Sequence, residues 1–179
     1  MRCLVLLFLI VIVGCTTAIT ISNSTPPDHA VNMKIDQTGI DQGNLPPDFT
    51  VTATDGTQIK LSDFNEKPLL IYFMATWCPY CREDFTTLSD NYAEYNTSML
   101  VVSLDLKDTN NKLAEYKSHF PKLEKVFFAE GNEDMLRNYQ IRLTTTKYAI
   151  GRDGKILHKG SGAFSADQWK VLLNALQNS

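Results

Sequence analysis

The chain opens on an unbroken apolar run, Cys3–Val13 (CLVLLFLIVIV), and carries no charge between Arg2 and Asp28. From residue 45 the pattern changes to short apolar runs alternating with amphipathic segments. Phe49–Thr54 and Thr57–Leu61 flank Asp55-Gly56, a strong β-hairpin signal. Leu69–Met74 (LLIYFM) and Met99–Leu104 (MLVVSL) are short apolar runs suited to strands buried on both faces. Between them Phe85, Leu88, Tyr92 and Tyr95 recur at three and four residues and predict a helix from Pro79 to about Tyr95. A second helix over Asn110–Phe120 must stop before Pro121. A brief strand at Val126–Ala129 and a short helix at Asn132–Tyr139 follow. Thr146–Ile150 and Lys155–Lys159 surround Asp153-Gly154 as another hairpin, and the capping box Ser165-Ala166-Asp167-Gln168 opens a last helix to Leu176. Crossovers give parallel strands, and the closing hairpin adds antiparallel ones. The expectation is an α/β fold: a mixed central sheet flanked by helices, with an N-terminal β-hairpin and a helical insertion at Asn110–Phe120.

The opening segment divides the chain. Residues 1–21 have the basic start, apolar middle and small residues of an export or anchoring signal. Ile12-Val13-Gly14-Cys15 resembles a bacterial lipobox, which makes Cys15 a candidate for lipid attachment. Cleavage after Ala18 and an uncleaved anchor over Leu4–Ile21 are the competing readings. All three put the rest of the protein outside the cytoplasm. Residues 22–44 are polar, with Pro and Gly and weak periodicity, and read as a flexible tether with a reach of roughly 25 Å. Residues 45–179 form the expected folded domain. Asn23-Ser24-Thr25 and Asn96-Thr97-Ser98 match the N-glycosylation triplet.

Composition narrows the function classes. Of 179 residues, 44% are apolar, enough for one domain with a substantial core. With 17 basic against 20 acidic residues, the chain lacks the basic excess of a nucleic-acid surface. Four cysteines are too few for a disulfide-stapled scaffold, and two of them, Cys78 and Cys81, form a close pair.

That pair sits in Trp77-Cys78-Pro79-Tyr80-Cys81, after a buried strand and at the start of a helix. A helix N-terminus offers free N–H groups and partial positive charge, which favour a thiolate. Cys78 is therefore expected to be the more exposed and more acidic thiol, with Cys81 one turn on as the resolving cysteine. Pro79 suits the first helical turn. Trp77 is expected to shield the pair and wall the substrate surface. A structural disulfide closing so small a loop would stabilise little. Zinc needs two further ligands, and His29, His119 and His158 are scattered, so neither a metal nor another cofactor is expected. A peroxidase Pro-x-x-x-Thr-x-x-Cys arrangement is absent: Ile71 and Ala75 stand at those places.

Phe73 to Arg82 (FMATWCPYCR) resembles the active-site segment of thioredoxin-fold proteins. Leu45-Pro46-Pro47-Asp48-Phe49, Leu61-Ser62-Asp63-Phe64 and Gly151-Arg152-Asp153-Gly154-Lys155-Ile156 resemble the hairpins of the TlpA/ResA-like branch (AhpC-TSA/Redoxin-like), over about Leu45–Leu176. The resemblance implies a membrane-tethered, extracytoplasmic thiol:disulfide oxidoreductase. It implies cysteine-containing protein clients, apocytochrome c among them, and a membrane thiol electron donor. Such a protein is expected as a monomer. The departures are specific. Tyr72 occupies the position of thioredoxin's buried acid, and Thr86 that of the branch's helix-kinking proline. Asp84 stands where the branch has a glutamate; it is either a proton relay to Cys81 or a solvated helix residue. Thr145 replaces the cis-proline facing the cysteines. Its preceding bond is expected to be trans, its hydroxyl to face the thiols, and the client groove, which Tyr80 helps line, to be looser. Three functions stay open: a reductase of protein disulfides, an oxidase donating its disulfide, and a thiol-based binding module or metal carrier without turnover.

Overall fold

A computed structural model of the chain describes residues 37–90, 92–123 and 125–179. The leader over 1–21 with Cys15, most of the tether and the triplet at Asn23 lie outside the described residues. Among the described residues no helix is long and apolar enough to cross a membrane.

Two strands, β1 (Thr50–Thr52) and β2 (Gln58–Lys60), form the N-terminal antiparallel hairpin. The central sheet is built from β3 (Leu69–Met74), β4 (Ser98–Ser103), β5 (Phe127–Glu130), β6 (Thr146–Ile150) and β7 (Ile156–Gly160). Its order is β5-β4-β3-β6-β7. β3, β4 and β5 run parallel, and β6 and β7 are antiparallel to their neighbours, as a crossover half joined to a hairpin requires. The helices are α1 (Pro79–Ser89), α2 (Asn110–Ser118), α3 (Glu133–Asn138) and α4 (Ala166–Gln177). The expected insertion is α2, and the crossover it makes adds β5 as an edge strand.

β3 is buried along its whole length, and its alternating side chains feed two cores. Leu70, Tyr72 and Met74 pack with Phe85 of α1, Tyr116 of α2 and Trp169 of α4. Leu69, Ile71 and Phe73 pack on the other face with Val51 and Ile59 of the hairpin and Tyr139 beyond α3. Every helix has a side-chain N-cap: Cys78, Thr109, Asn132 and the Ser165–Gln168 capping box.

Two differences from expectation have local causes. α1 ends at Ser89 instead of near Tyr95, with Asp90 as its C-cap, and the chain resumes as a 3-10 turn over Tyr92–Glu94. The apolar spacing survives this break, because Tyr92 is still buried and its hydroxyl donates to the Thr97 carbonyl. Residues 37–44, read as the end of the tether, are hydrogen-bonded into the domain. Leu45 N–H donates to Gln37, Gly43 N–H to Ile156 at 2.8 Å, and Ile156 N–H to Asn44 at 2.9 Å. Ile40 packs on the hairpin-side core, an apolar anchor in an otherwise polar stretch.

Candidate active site

Cys78 follows β3 through a short loop and caps α1. Its sulfur accepts the Cys81 N–H at 3.2 Å, and Pro79 fills the first helical position, where no donor is lost. Both thiols are free. The expected difference in exposure is small: Cys78 is 3% exposed and Cys81 fully buried. Burial, reinforced by the adjacent Cys78 sulfur, pushes the Cys81 thiol up to about 12. Trp77 and Tyr80 stand out beside the pair, 64% and 61% exposed. Trp77 is fixed by its indole N–H, which donates to Asp105 Oδ2 at 2.9 Å. The Lys107 N–H and then Trp77 hold the Asp105 carboxyl below the usual carboxylate range.

The loop carrying Thr76 and Trp77 hangs on Asp108. That buried carboxylate accepts the Thr76 N–H at 2.8 Å, the Thr76 hydroxyl at 2.6 Å and the Ser103 hydroxyl at 2.8 Å. Asp108 was not singled out from sequence, since an acid before a helix is commonplace.

Asp84 is no solvated helix residue. It is fully buried on the face of α1 shared with Cys81, Phe85 and Leu88. Its oxygens accept from the Tyr72 hydroxyl at 2.7 Å, the Phe164 N–H at 2.7 Å and the Trp169 indole at 3.1 Å. A fourth donor, Lys147, lies 3.2 Å away and is itself fully buried. Sequence reasoning missed Lys147, although a signal existed. In strand β6 it shares a face with Ala149, so its side chain had to point inward. Burial lowers its affinity for a proton, and Asp84 opposes that.

Thr145 sits in a left-handed conformation, φ 61°, rare for a β-branched residue, and no peptide bond among the described residues is cis. Its hydroxyl is not directed at the thiols as expected. It donates to the Thr144 carbonyl and accepts the Gly162 N–H at 2.9 Å. Lys147 holds the same loop by donating to the Thr145 carbonyl at 3.0 Å and the Gly162 carbonyl at 2.5 Å. The loop is therefore tied down, not loosened. Among the described residues no cluster of His, Cys, Asp and Glu has the makings of a metal site.

A dithiol at a helix start, below a five-stranded mixed sheet, is matched by known proteins. The AhpC/TSA family pattern covers residues 43–159. The chain belongs to the AhpC/TSA family. Within that family it is a TlpA/ResA-like protein of the thioredoxin superfamily. It is 30% identical over 152 residues to the thiol-disulfide oxidoreductase ResA of Oceanobacillus iheyensis, covering 80% of this chain and 77% of that one. It is 27% identical over 139 residues to ResA of Bacillus thuringiensis subsp. konkukian, covering 75% and 78%. A crystal structure from Chlorobium tepidum, described as a thiol:disulfide interchange protein DsbE, superposes with a TM-score of 0.67 at 25% identity, covering 78% of this chain and 99% of that one. This AhpC/TSA-family protein is thus a thiol:disulfide oxidoreductase.

Proposed function

We propose that the protein is an extracytoplasmic, membrane-tethered reductase of protein disulfides. The carrying observation is the asymmetry of the pair: Cys78 caps α1 and receives the Cys81 N–H at 3.2 Å, while Cys81 is buried and kept protonated. Cys78 attacks a client disulfide. A bond forms between its sulfur and one client sulfur, and the other client sulfur leaves and takes up a proton. Cys81 then gives up its proton to Asp84 and attacks the Cys78 sulfur, closing the internal disulfide, and the second client sulfur leaves with the proton from Asp84. Two electrons and two protons have moved from the protein dithiol to the client. A membrane thiol donor returns them.

Exposed Trp77 and Tyr80 suit a client surface beside the pair. Likeness to ResA and DsbE supports cysteine-containing clients such as apocytochrome c. The lipobox-like Cys15 supports tethering, and a single domain supports a monomer. The reductive direction is favoured because a strong oxidant draws its force from a stabilised reduced form, and burial denies Cys81 a stable thiolate.

The test is the reduction potential of the full chain against glutathione, with insulin as client. A value below the glutathione couple, with catalytic turnover, is expected. Cys81→Ser should accumulate mixed disulfides, and Cys78→Ser should be inert. A potential above that couple would make the protein an oxidase, and absence of turnover would make it a binding module.

A further inference from the structure

Passing a proton from Cys81 to Asp84 raises a question of charge. If the proton left the pocket instead, a thiolate and a carboxylate would be buried side by side, an expensive arrangement. Two residues to which no role has been assigned lie where they resolve this. The Tyr72 hydroxyl donates to Asp84 Oδ2 at 2.7 Å, and Tyr72 and Cys81 are both fully buried in the same core cluster. Lys147 Nζ reaches the same Oδ2 at 3.2 Å and lies 5.0, 4.2 and 5.2 Å from the ring centres of Tyr72, Phe164 and Trp169. Cys81, Tyr72, Asp84 and Lys147 therefore share one buried pocket between α1, β3 and β6.

We propose that Tyr72 conducts the Cys81 proton to Asp84, and that Lys147 is the positioning residue that keeps the pocket neutral while it moves. The proposal rests on the dithiol reading above. At rest Asp84 and Lys147 form an ion pair and Cys81 is a thiol. The Cys81 S–H bond breaks, its proton passes to the Tyr72 oxygen, and the Tyr72 proton passes to Asp84. Cys81 is now negative, Asp84 neutral and Lys147 still positive, so the net charge is unchanged. The thiolate forms the bond to Cys78, the mixed disulfide breaks, and the client sulfur leaves with the Asp84 proton.

Other titratable groups border the pocket. Cys78 is tied up in the mixed disulfide. Tyr116 of α2, with the Arg82 guanidinium 5.9 Å from its ring centre, is held neutral by burial. His158 of β7 is held below its usual value by burial and by Lys147. Burial moves the latter two away from neutral pH, Tyr116 upward and His158 downward.

The test uses the reduced full chain with Cys3 and Cys15 replaced by Ser, mixed with 5,5′-dithiobis(2-nitrobenzoate). Cys78 releases the first equivalent of coloured thiol and Cys81, closing the ring, the second. Because the proton stays inside the pocket, the second-phase rate is expected to be flat over about pH 7 to 8.5. In Tyr72→Phe and in Lys147→Met, Cys81 must ionise to solvent. The second phase should then be slower by about tenfold or more at pH 7, relative to the first, and rise about tenfold per pH unit. Tyr72→Phe removes one oxygen and keeps the ring, so it decides the matter should Lys147→Met fail to fold. Variants matching the parent in rate and pH slope would overturn the proposal and leave the dithiol reading standing. Release of a single equivalent by the parent would overturn that reading, and the proposal with it.

Discussion

At the scale of single residues, two cysteines three positions apart are both buried but differ in surroundings: the Cys78 sulfur accepts a backbone N–H as the cap of α1, whereas Cys81 lies on the inward face of that helix. The Cys81 thiol has an ordinary value of 9.0 and is pushed up to about 12 in the fold. Below pH 9 it is neutral both folded and unfolded, and its contribution to stability is fully present. Between 9 and about 12 the unfolded chain ionises first, so unfolding releases a proton and stability falls as pH rises. The whole loss is on the order of 4 kcal/mol. Urea midpoints of the reduced parent and of Cys81→Ala, taken anaerobically at pH 8 and pH 10.5, should show the parent losing more. Burial is the largest influence on each buried tyrosine in both proteins, so their share largely cancels. Equal losses would mean that Cys81 is not shielded. At this scale the cysteines and Trp77 were legible because spacing and helix position fix them, and the place of Asp84 through the resemblance to the TlpA/ResA-like branch. The burial of Asp84 was half visible: Cys81, Phe85 and Leu88 mark the inward face of α1 that it shares. Its four donors were not, since Tyr72, Phe164, Trp169 and Lys147 come from three other parts of the chain.

Among the elements, the joint between β3, β4 and α2 decides where Cys78 stands. Asp108 receives three hydrogen bonds, two from Thr76 and one from Ser103 at the end of β4. Asp108→Ala leaves those donors without an acceptor and should cost about 2–3 kcal/mol. It should also slow alkylation of Cys78 by iodoacetamide, because the loop before the cysteine loses the carboxylate that holds Thr76. Asp108→Asn keeps an acceptor and should do less of both. An unchanged alkylation rate in the alanine variant would show that β3 and α1 position Cys78 unaided. The strands of this joint were readable to within a residue, since β3 and β4 are plain apolar runs bounded by polar ones. The end of α1 was not. Tyr92 and Tyr95 continue the apolar spacing after the helix has stopped, and periodicity alone cannot distinguish a helix from a turn that keeps its phase.

For the molecule as a whole, the proposed attachment turns on Cys15, beyond the described residues. Lipidation there should send the native protein into the membrane fraction, and Cys15→Ala should lose the lipid mass. Mass spectrometry of the native N-terminus decides the case: an intact Met1 would favour an uncleaved anchor, and a start at Ile19 a secreted form. The boundary of the folded part was misplaced by sequence because residues 37–44 look like a linker in composition. Their order comes from backbone bonds to Asn44 and Ile156 and from a single apolar contact at Ile40, none of which leaves a periodic trace.

The clasp between Gly43, Asn44 and Ile156 also gives the domain a top and a bottom. Ile156 pairs with Ile150, and Ile150 with Leu69, where β3 begins; Cys78 follows the other end of that strand. The chain thus enters at one pole and the dithiol crowns the opposite one, about 17 Å away along β3. A client disulfide would thus meet the domain at the end away from the Gly43–Ile156 clasp.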